Sequence, residues 1–172
     1  ALDLIESDLA QLADALAAQA QRHAATPMAG RTWLQHATPV TLGMKIAGWL
    51  GAVTRSRQRL RELKPRLLVL QFGGASGTLA ALGEQALPIA QALAEELQLT
   101  LPEQPWHTQR DRVVEFGAVL GLIAGSLGKL GRDISLLMQT EAAEVFEPSA
   151  PGKGGSSTMP HKRNPVGAAV LI

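Results

Sequence analysis

The sequence predicts an all-α protein built as a bundle of long helices, and three observations carry that prediction. Alanine and leucine supply most of an apolar content of 46%, while aromatic residues make up only 3%, and both of those aliphatic residues favour helix. Apolar residues recur at three- and four-residue spacing from the first residues onward. Residues 108–144 read as one helix of about 50 Å at 1.5 Å per residue, too long and too apolar for one small domain to cover. A bundle shared between subunits would cover it.

The elements follow in order. Over residues 2–25, Ile5, Leu9, Leu12 and Leu16 form one apolar stripe, so the segment predicts an amphipathic helix that Thr26-Pro27 and Gly30 interrupt. A second helix is expected from Thr38 as N-cap with Pro39 at the first helical position, ending near Leu63 before Pro65. Arg55, Arg57, Arg59 and Arg61 lie two apart and cannot share one helix face, so they predict a solvated helix end rather than an anion site. The run LLVLQF, residues 67–72, fits either a short strand or buried helix. GGASG after it lacks the spacing and lysine of a phosphate-binding P-loop and predicts a tight turn into a helix from about Thr78. Pro88 belongs in a first helical turn or at a kink, and Pro102 and Pro105 mark a loop.

Gly117, Gly121 and Gly125 fall four apart on one face of the long helix, with Gly128 close by. Glycine costs helix propensity, so the row predicts close approach by another helix. Residues 146–164 then form a long loop rich in Gly, Ser and Pro, and helix resumes at Pro165. Loops of that length in a compact protein are commonly functional.

Composition narrows the function. With 172 residues the chain can build one real core. It has no cysteine, so disulfides and thiolate metal sites are excluded, which fits a reducing cytoplasm. A net charge of +1 from 16 basic and 15 acidic residues gives no broad surface for nucleic acid. The uncharged apolar run 116–128 is too short to span a bilayer, and no signal peptide is visible, so no membrane partner is expected. The chain starts without methionine and stops at Ile172 inside what reads as a new helix, which predicts a piece of a longer protein.

The stretch GSSTMPHKRNP, residues 155–165, concentrates the chemistry. Gly152, Gly154 and Gly155 give hinge freedom, while Pro160 and Pro165 stiffen the far half. Ser156 or Ser157 could exchange a proton if local amides and a cation stabilised its alkoxide. Lys162 and Arg163 are suited to carboxylates, Arg163 in bidentate fashion, and Asn164 offers both a donor and an acceptor. Composition alone favours a disordered, polar surface loop, and the length and order of a motif match tilt the balance.

This stretch resembles the signature loop of the fumarase/aspartase superfamily, roughly GSSxMPxKxNP, at every fixed position: Gly155, Ser156, Ser157, Met159, Pro160, Lys162, Asn164 and Pro165. GRTWLQHATPVTLG, residues 30–43, resembles that superfamily's GRTHxQxAxPxTLG segment, in the same order along the chain. The resemblance covers essentially the whole chain. It implies part of the central helical-bundle domain of that fold, with the loop at about 147–164 and the N-terminal and C-terminal parts of the full protein absent. It implies an enzyme that adds or eliminates a group across a C–C bond beside a carboxylate. Ser156 would exchange the proton on the alpha carbon, and Lys162 and Asn164 would hold the carboxylate and its enediolate. Thr32, Gln35, Gln109 and His161 would contact substrate. Each site would be built from three subunits of a homotetramer, with no metal and no organic cofactor.

One departure is informative. Where the superfamily's segment has a histidine that serves as an acid, this chain has Trp33, whose indole cannot titrate. Three readings follow: the chain is inactive, His36 substitutes, or the reaction needs no such acid. The third describes a cycloisomerisation in which the substrate's own carboxylate adds to a double bond and closes a lactone, as in the tricarboxylate-processing branch that RTWLQHATP, QFGGASGTLAAL and HTQRDR resemble. A tricarboxylate would employ Lys162, Arg163 and Arg110. The competing elimination of the adenylosuccinate lyase type must protonate a departing purine amine, which Trp33 disfavours. A non-catalytic helical scaffold is the alternative of another class. His107 is expected to have no role and His23 a structural one, while the 172 residues alone are expected to lack turnover.

Overall fold

A computed structural model describes residues 1–148 and 154–172. The element order is α1 (Leu2–Arg22), β1 (Pro27–Thr32), β2 (Gln35–Thr41), α2 (Leu42–Leu67), a 3-10 segment (Ala80–Gln85), α3 (Ala86–Glu96), α4 (Asp111–Leu137) and α5 (Val166–Val170). The described chain is mostly helical, in keeping with the predicted class, with one two-stranded hairpin added. It divides into two compact units, residues 1–57 with 121–172, and residues 58–120.

In the first unit, α1 buries Leu9 and Leu16 of the expected stripe together with Ala13, while Ile5 and Leu12 are half-buried. Asp3 in its first turn and Arg22 in its last match the helix dipole. The start of α2 lies against the end of α1: Leu42 and Gly43 donate their N–H groups to the carbonyls of Thr26 and His23, both at 2.9 Å. A Cβ at Gly43 would sit 2.5 Å from the Ala20 carbonyl, so only glycine permits that approach. The N-cap of α2 is Thr41, whose Oγ1 accepts the Met44 N–H at 3.1 Å. The expectation that Thr38 caps the helix and Pro39 opens it fails, because both residues lie in β2. Ile46, Trp49 and Val53 of α2 and Ile123, Leu130 and Leu137 of α4 complete this core.

Trp49 donates its indole N–H to Asp133 at 2.7 Å, and Lys129 and Lys45 reach the same carboxylate. Burial pushes the Asp133 carboxyl up, but hydrogen bonds from Lys129 and Trp49 and the charge of Lys45 outweigh it, so the group stays below its ordinary value.

In the second unit, Leu60, Leu63, Val69, Leu70, Ala90, Ala94 and Val119 are buried. α2 runs past its expected end through Pro65 to Leu67, since a proline in the last turn removes a single intrahelical bond. The LLVLQF run resolves as neither helix nor long strand: Val69 makes one parallel bridge to Thr100. Gly74 and Gly77 take positive φ of 68° and 82°, the tight turn expected of GGASG. Pro88 lies in the first turn of α3, as expected.

α4 is shorter at both ends than the 108–144 helix expected. It is long and apolar enough by composition to cross a bilayer, a test that the core helix of a bundle also passes. Among the described residues nothing comes within 4 Å of a Cβ built at Gly117, Gly121 or Gly125, so no helix of this chain approaches that row. Gly128 and Gly131 are the approached positions, where a Cβ would stand 3.2 Å from the Leu171 carbonyl oxygen and 2.6 Å from that of Ala168.

Candidate active site

The first motif segment forms the hairpin. Its strands pair as Pro27↔Thr41, Met28↔Val40 and Ala29↔Pro39, then shift register to Arg31↔His36 and Thr32↔Gln35. Gly30 sits at the shift, where a Cβ would meet the Thr38 carbonyl oxygen at 2.4 Å. The turn consists of Trp33 and Leu34, both at left-handed φ of 52° and 62°. Two such residues make a type I′ pattern that Asn-Gly normally occupies, because Cβ disfavours this region. Trp33 is 96% exposed and stands at the tip, with Thr32 and Gln35 exposed beside it. His36 lies on β2 opposite Arg31, so it does not occupy the place of Trp33.

The second segment is a tight loop. Ser156 Oγ accepts the N–H groups of Met159 at 3.2 Å and Thr158 at 3.4 Å. An oxygen facing two amides is a better place for developing negative charge than one in bulk water. Lys162 donates its N–H to the Met159 carbonyl at 3.0 Å, closing a turn that brings its side chain onto the same loop. Asn164 donates its backbone N–H to the Gly154 carbonyl at 2.8 Å and its amide nitrogen to the Gly155 carbonyl at 3.4 Å. Gly154 has φ of 71°, which glycine adopts without the Cβ penalty. Gly152, to which hinge freedom was also attributed, lies outside the described residues. His161 and Lys162 are exposed. An open hollow of about 1020 Å³ lies against the loop, lined in part by Lys162, Asn164, Glu147, Met138 and Leu171.

Ser156, Lys162 and Asn164 are therefore gathered in one loop, and Thr32 and Gln35 on the hairpin of the same unit. Gln109 belongs to the other unit, in the turn ahead of α4, where its N–H reaches the Trp106 carbonyl at 3.1 Å and its Oε1 accepts from Thr108 at 2.9 Å. Arg110 follows it, with its guanidinium 5.5 Å from the centre of the Trp106 ring.

Several residues that sequence reasoning did not single out hold this arrangement. Arg31 pairs both terminal guanidinium nitrogens with Glu144, at 2.6 and 3.0 Å. The Arg31 hydrogen bond holds the Glu144 carboxyl below its ordinary value against the opposing effect of burial. Glu147 accepts the N–H groups of Gly167 and Ala168 at 2.9 and 2.6 Å. Phe146 lies under Arg163, 4.8 Å from ring centre to guanidinium. The Arg31–Glu144 partners are 113 residues apart in sequence, so no local pattern could have announced them.

A family model described as Lyase matches residues 1–172. The chain belongs to that lyase family, the class that the helical scaffold and the GSSTMPHKRNP loop define. It is 81% identical over all 172 residues to 3-carboxy-cis,cis-muconate cycloisomerase of Pseudomonas aeruginosa, of which it spans 38%. The structure matches 99% of this chain to 38% of a crystal structure of 3-carboxy-cis,cis-muconate lactonizing enzyme from Pseudomonas putida, with a TM-score of 0.93 and 82% identity. A class II fumarase from Schistosoma mansoni, at 20% identity, TM-score 0.80 and coverage of 97% of this chain and 40% of that one, shares the fold alone. The chain thus spans well under half the length of the relatives it matches.

Proposed function

We propose that the complete protein is a cycloisomerase that closes 3-carboxy-cis,cis-muconate to 4-carboxymuconolactone, in protocatechuate breakdown through the β-ketoadipate pathway. A carboxylate oxygen of the substrate adds to the double bond, and the electron pair moves onto the neighbouring carboxylate as an enediolate. The Ser156 O–H delivers a proton to the alpha carbon, and one proton is taken up from solvent to restore the serine. The observation that carries this reading is the pairing of an amide-held Ser156 with Trp33. The loop keeps the alpha-carbon proton chemistry, while the hairpin tip holds a side chain that cannot titrate. An internal carboxylate needs no activated water and leaves no amine to protonate, so Trp33 costs this reaction nothing.

In this reading Lys162 and Asn164 hold the carboxylate and the enediolate, where preorganised donors act on developing charge. Thr32, Gln35, Gln109 and His161 contact the tricarboxylate, with Arg163 and Arg110 as further cations. The chain forms part of the central helical domain of a cytoplasmic homotetramer whose sites are shared between subunits, and the reaction requires neither metal nor organic cofactor. The open glycine row of α4 supports a surface made for another helix.

The test uses the complete protein and follows loss of the conjugated-diene absorbance of 3-carboxy-cis,cis-muconate, with adenylosuccinate in a parallel cuvette. Turnover of the diene that falls about 10³-fold or more in Ser156→Ala, with unchanged melting temperature, supports the reading. Turnover of adenylosuccinate instead overturns it.

A further inference from the structure

We propose that Glu147 is the positioning residue of the signature loop, anchored in a strap, residues 143–148, that links the hairpin to the chain beyond the loop. After α4 ends, the backbone turns through Ala143, a non-glycine residue at φ of 49°, and Glu144 returns its N–H to the Leu137 carbonyl at 3.0 Å. Three side chains of the following stretch then each grip a different element. Glu144 holds the hairpin through Arg31, one residue before Thr32. Phe146 lies under Arg163 inside the loop. Glu147 holds the backbone just past the loop, at Gly167 and Ala168.

The Glu147 grip bears on the reacting group through a short route. Gly167 and Ala168 follow Asn164 by three and four residues, and Asn164 is itself bonded to Gly154 and Gly155. Ser156 comes next in sequence, its Oγ set by the amides of Thr158 and Met159. Fixing residues 167 and 168 against residue 147 therefore fixes where Asn164 stands, and Asn164 fixes the near end of the serine turn. Each N–H meets its own carboxylate oxygen, and a neutral amide would set an NH2 donor against one of the two. Gly167 is part of the device, since a Cβ there would stand 3.2 Å from both Glu147 carboxylate oxygens and displace the group slightly. Ala168 is 3% exposed, so its N–H has little access to water as a substitute partner.

The kinetic half of the test rests on the function proposed above, and the exchange half does not. Both use the complete protein with Glu147→Gln, Glu147→Asp and Gly167→Ala. The expected result for Glu147→Gln is a fall in kcat of about ten- to a hundred-fold with KM changed by less than about threefold, because misplacement of a catalytic group costs rate before it costs binding. Gly167→Ala gives a smaller fall in the same direction with the carboxylate still present, and Glu147→Asp recovers part of the Gln loss. Amide hydrogen exchange quickens at residues 158, 159 and 164 in Glu147→Gln while that of α4 is unchanged. Unaltered exchange across 154–165 overturns the proposal, as does faster exchange throughout the unit with kcat per folded molecule intact, which marks a merely structural residue. If the wild-type protein does not consume the diene, the function reading fails alone, and the exchange measurement still decides the role of Glu147.

Discussion

The hairpin at residues 27–41 holds its shape by backbone pairing and turns its tip outward, whereas the loop at 154–165 has almost no ladder and folds its polar groups onto its own backbone. Thr32, Trp33 and Gln35 are exposed, while Ser156 Oγ is met by two amides and the Asn164 side chain by a carbonyl. Under the proposed function the difference separates two tasks. A group on which charge must appear is held by dipoles already oriented toward it, so little reorganisation accompanies the reaction. A group that only receives a substrate can stand in solvent on a rigid ribbon until the substrate arrives. The ribbon has its own cost, because Trp33 and Leu34 both occupy the left-handed region, at about 1 kcal/mol each.

The largest effect that would break this comparison comes from the loop. Lys162→Met keeps the length of the side chain and removes its charge, while the backbone bond from residue 162 to the Met159 carbonyl persists. If Lys162 stabilises the enediolate, kcat/KM for the diene falls about 10²- to 10³-fold and the melting temperature stays within about 2 °C. A loss confined to KM would place Lys162 in ground-state binding, and no loss would leave the loop's cation without a catalytic part.

The two regions were also unequally legible in the sequence. The loop could be singled out because its motif residues lie close together in sequence, with a hydroxyl, a cation and an amide within nine residues. α1 was legible because a buried stripe has to repeat every three to four residues, and α4 because it is long and apolar. The hairpin was not, because its turn lacks the Asn-Gly or Gly-containing chemistry that marks a type I′ turn, and Thr38-Pro39 imitates a helix start. Tertiary pairing overrode that local preference, and Thr41 took the capping role three residues later. The strap was illegible for another reason. Glu144 and Glu147 look like ordinary surface carboxylates, and only the fold shows that their partners are Arg31 and the amides of Gly167 and Ala168.

A medium effect would sharpen the contrast from the hairpin side. Leu34→Gly relieves one left-handed side chain at an exposed position, so the folded state gains about 1 kcal/mol, offset in part by the greater freedom of glycine in the unfolded chain. Thermal unfolding of the complete protein should shift upward by about 1–3 °C. Activity should fall at the same time if the strain serves to present Trp33 rigidly, and KM should carry that fall if, as proposed, the tip receives substrate and does not exchange its proton. A more stable variant with unchanged kinetics would show that the Trp33-Leu34 geometry is not required by the site.

The smallest effect concerns the join between the two regions, the Arg31–Glu144 pair. Its side chains are 25% and 24% exposed, so solvent screens it only in part. The Arg31 hydrogen bond lowers the Glu144 carboxyl from its ordinary value of 4.5, and a depressed carboxyl contributes stability that is present above that value and lost as pH falls through the lowered native one. The pair is worth about 1 kcal/mol, between an exposed ion pair and a buried charge-assisted one. Urea unfolding of the wild type should therefore lose stability between about pH 7 and about pH 3.5, and Glu144→Gln should lose about 1 kcal/mol less over the same interval. Asp133, also depressed, contributes to the acid limb of both proteins and cancels in the difference. An identical acid limb in the two would mean that the hairpin is held to the strap by its backbone and packing alone, and that the charge pair sets direction without adding stability.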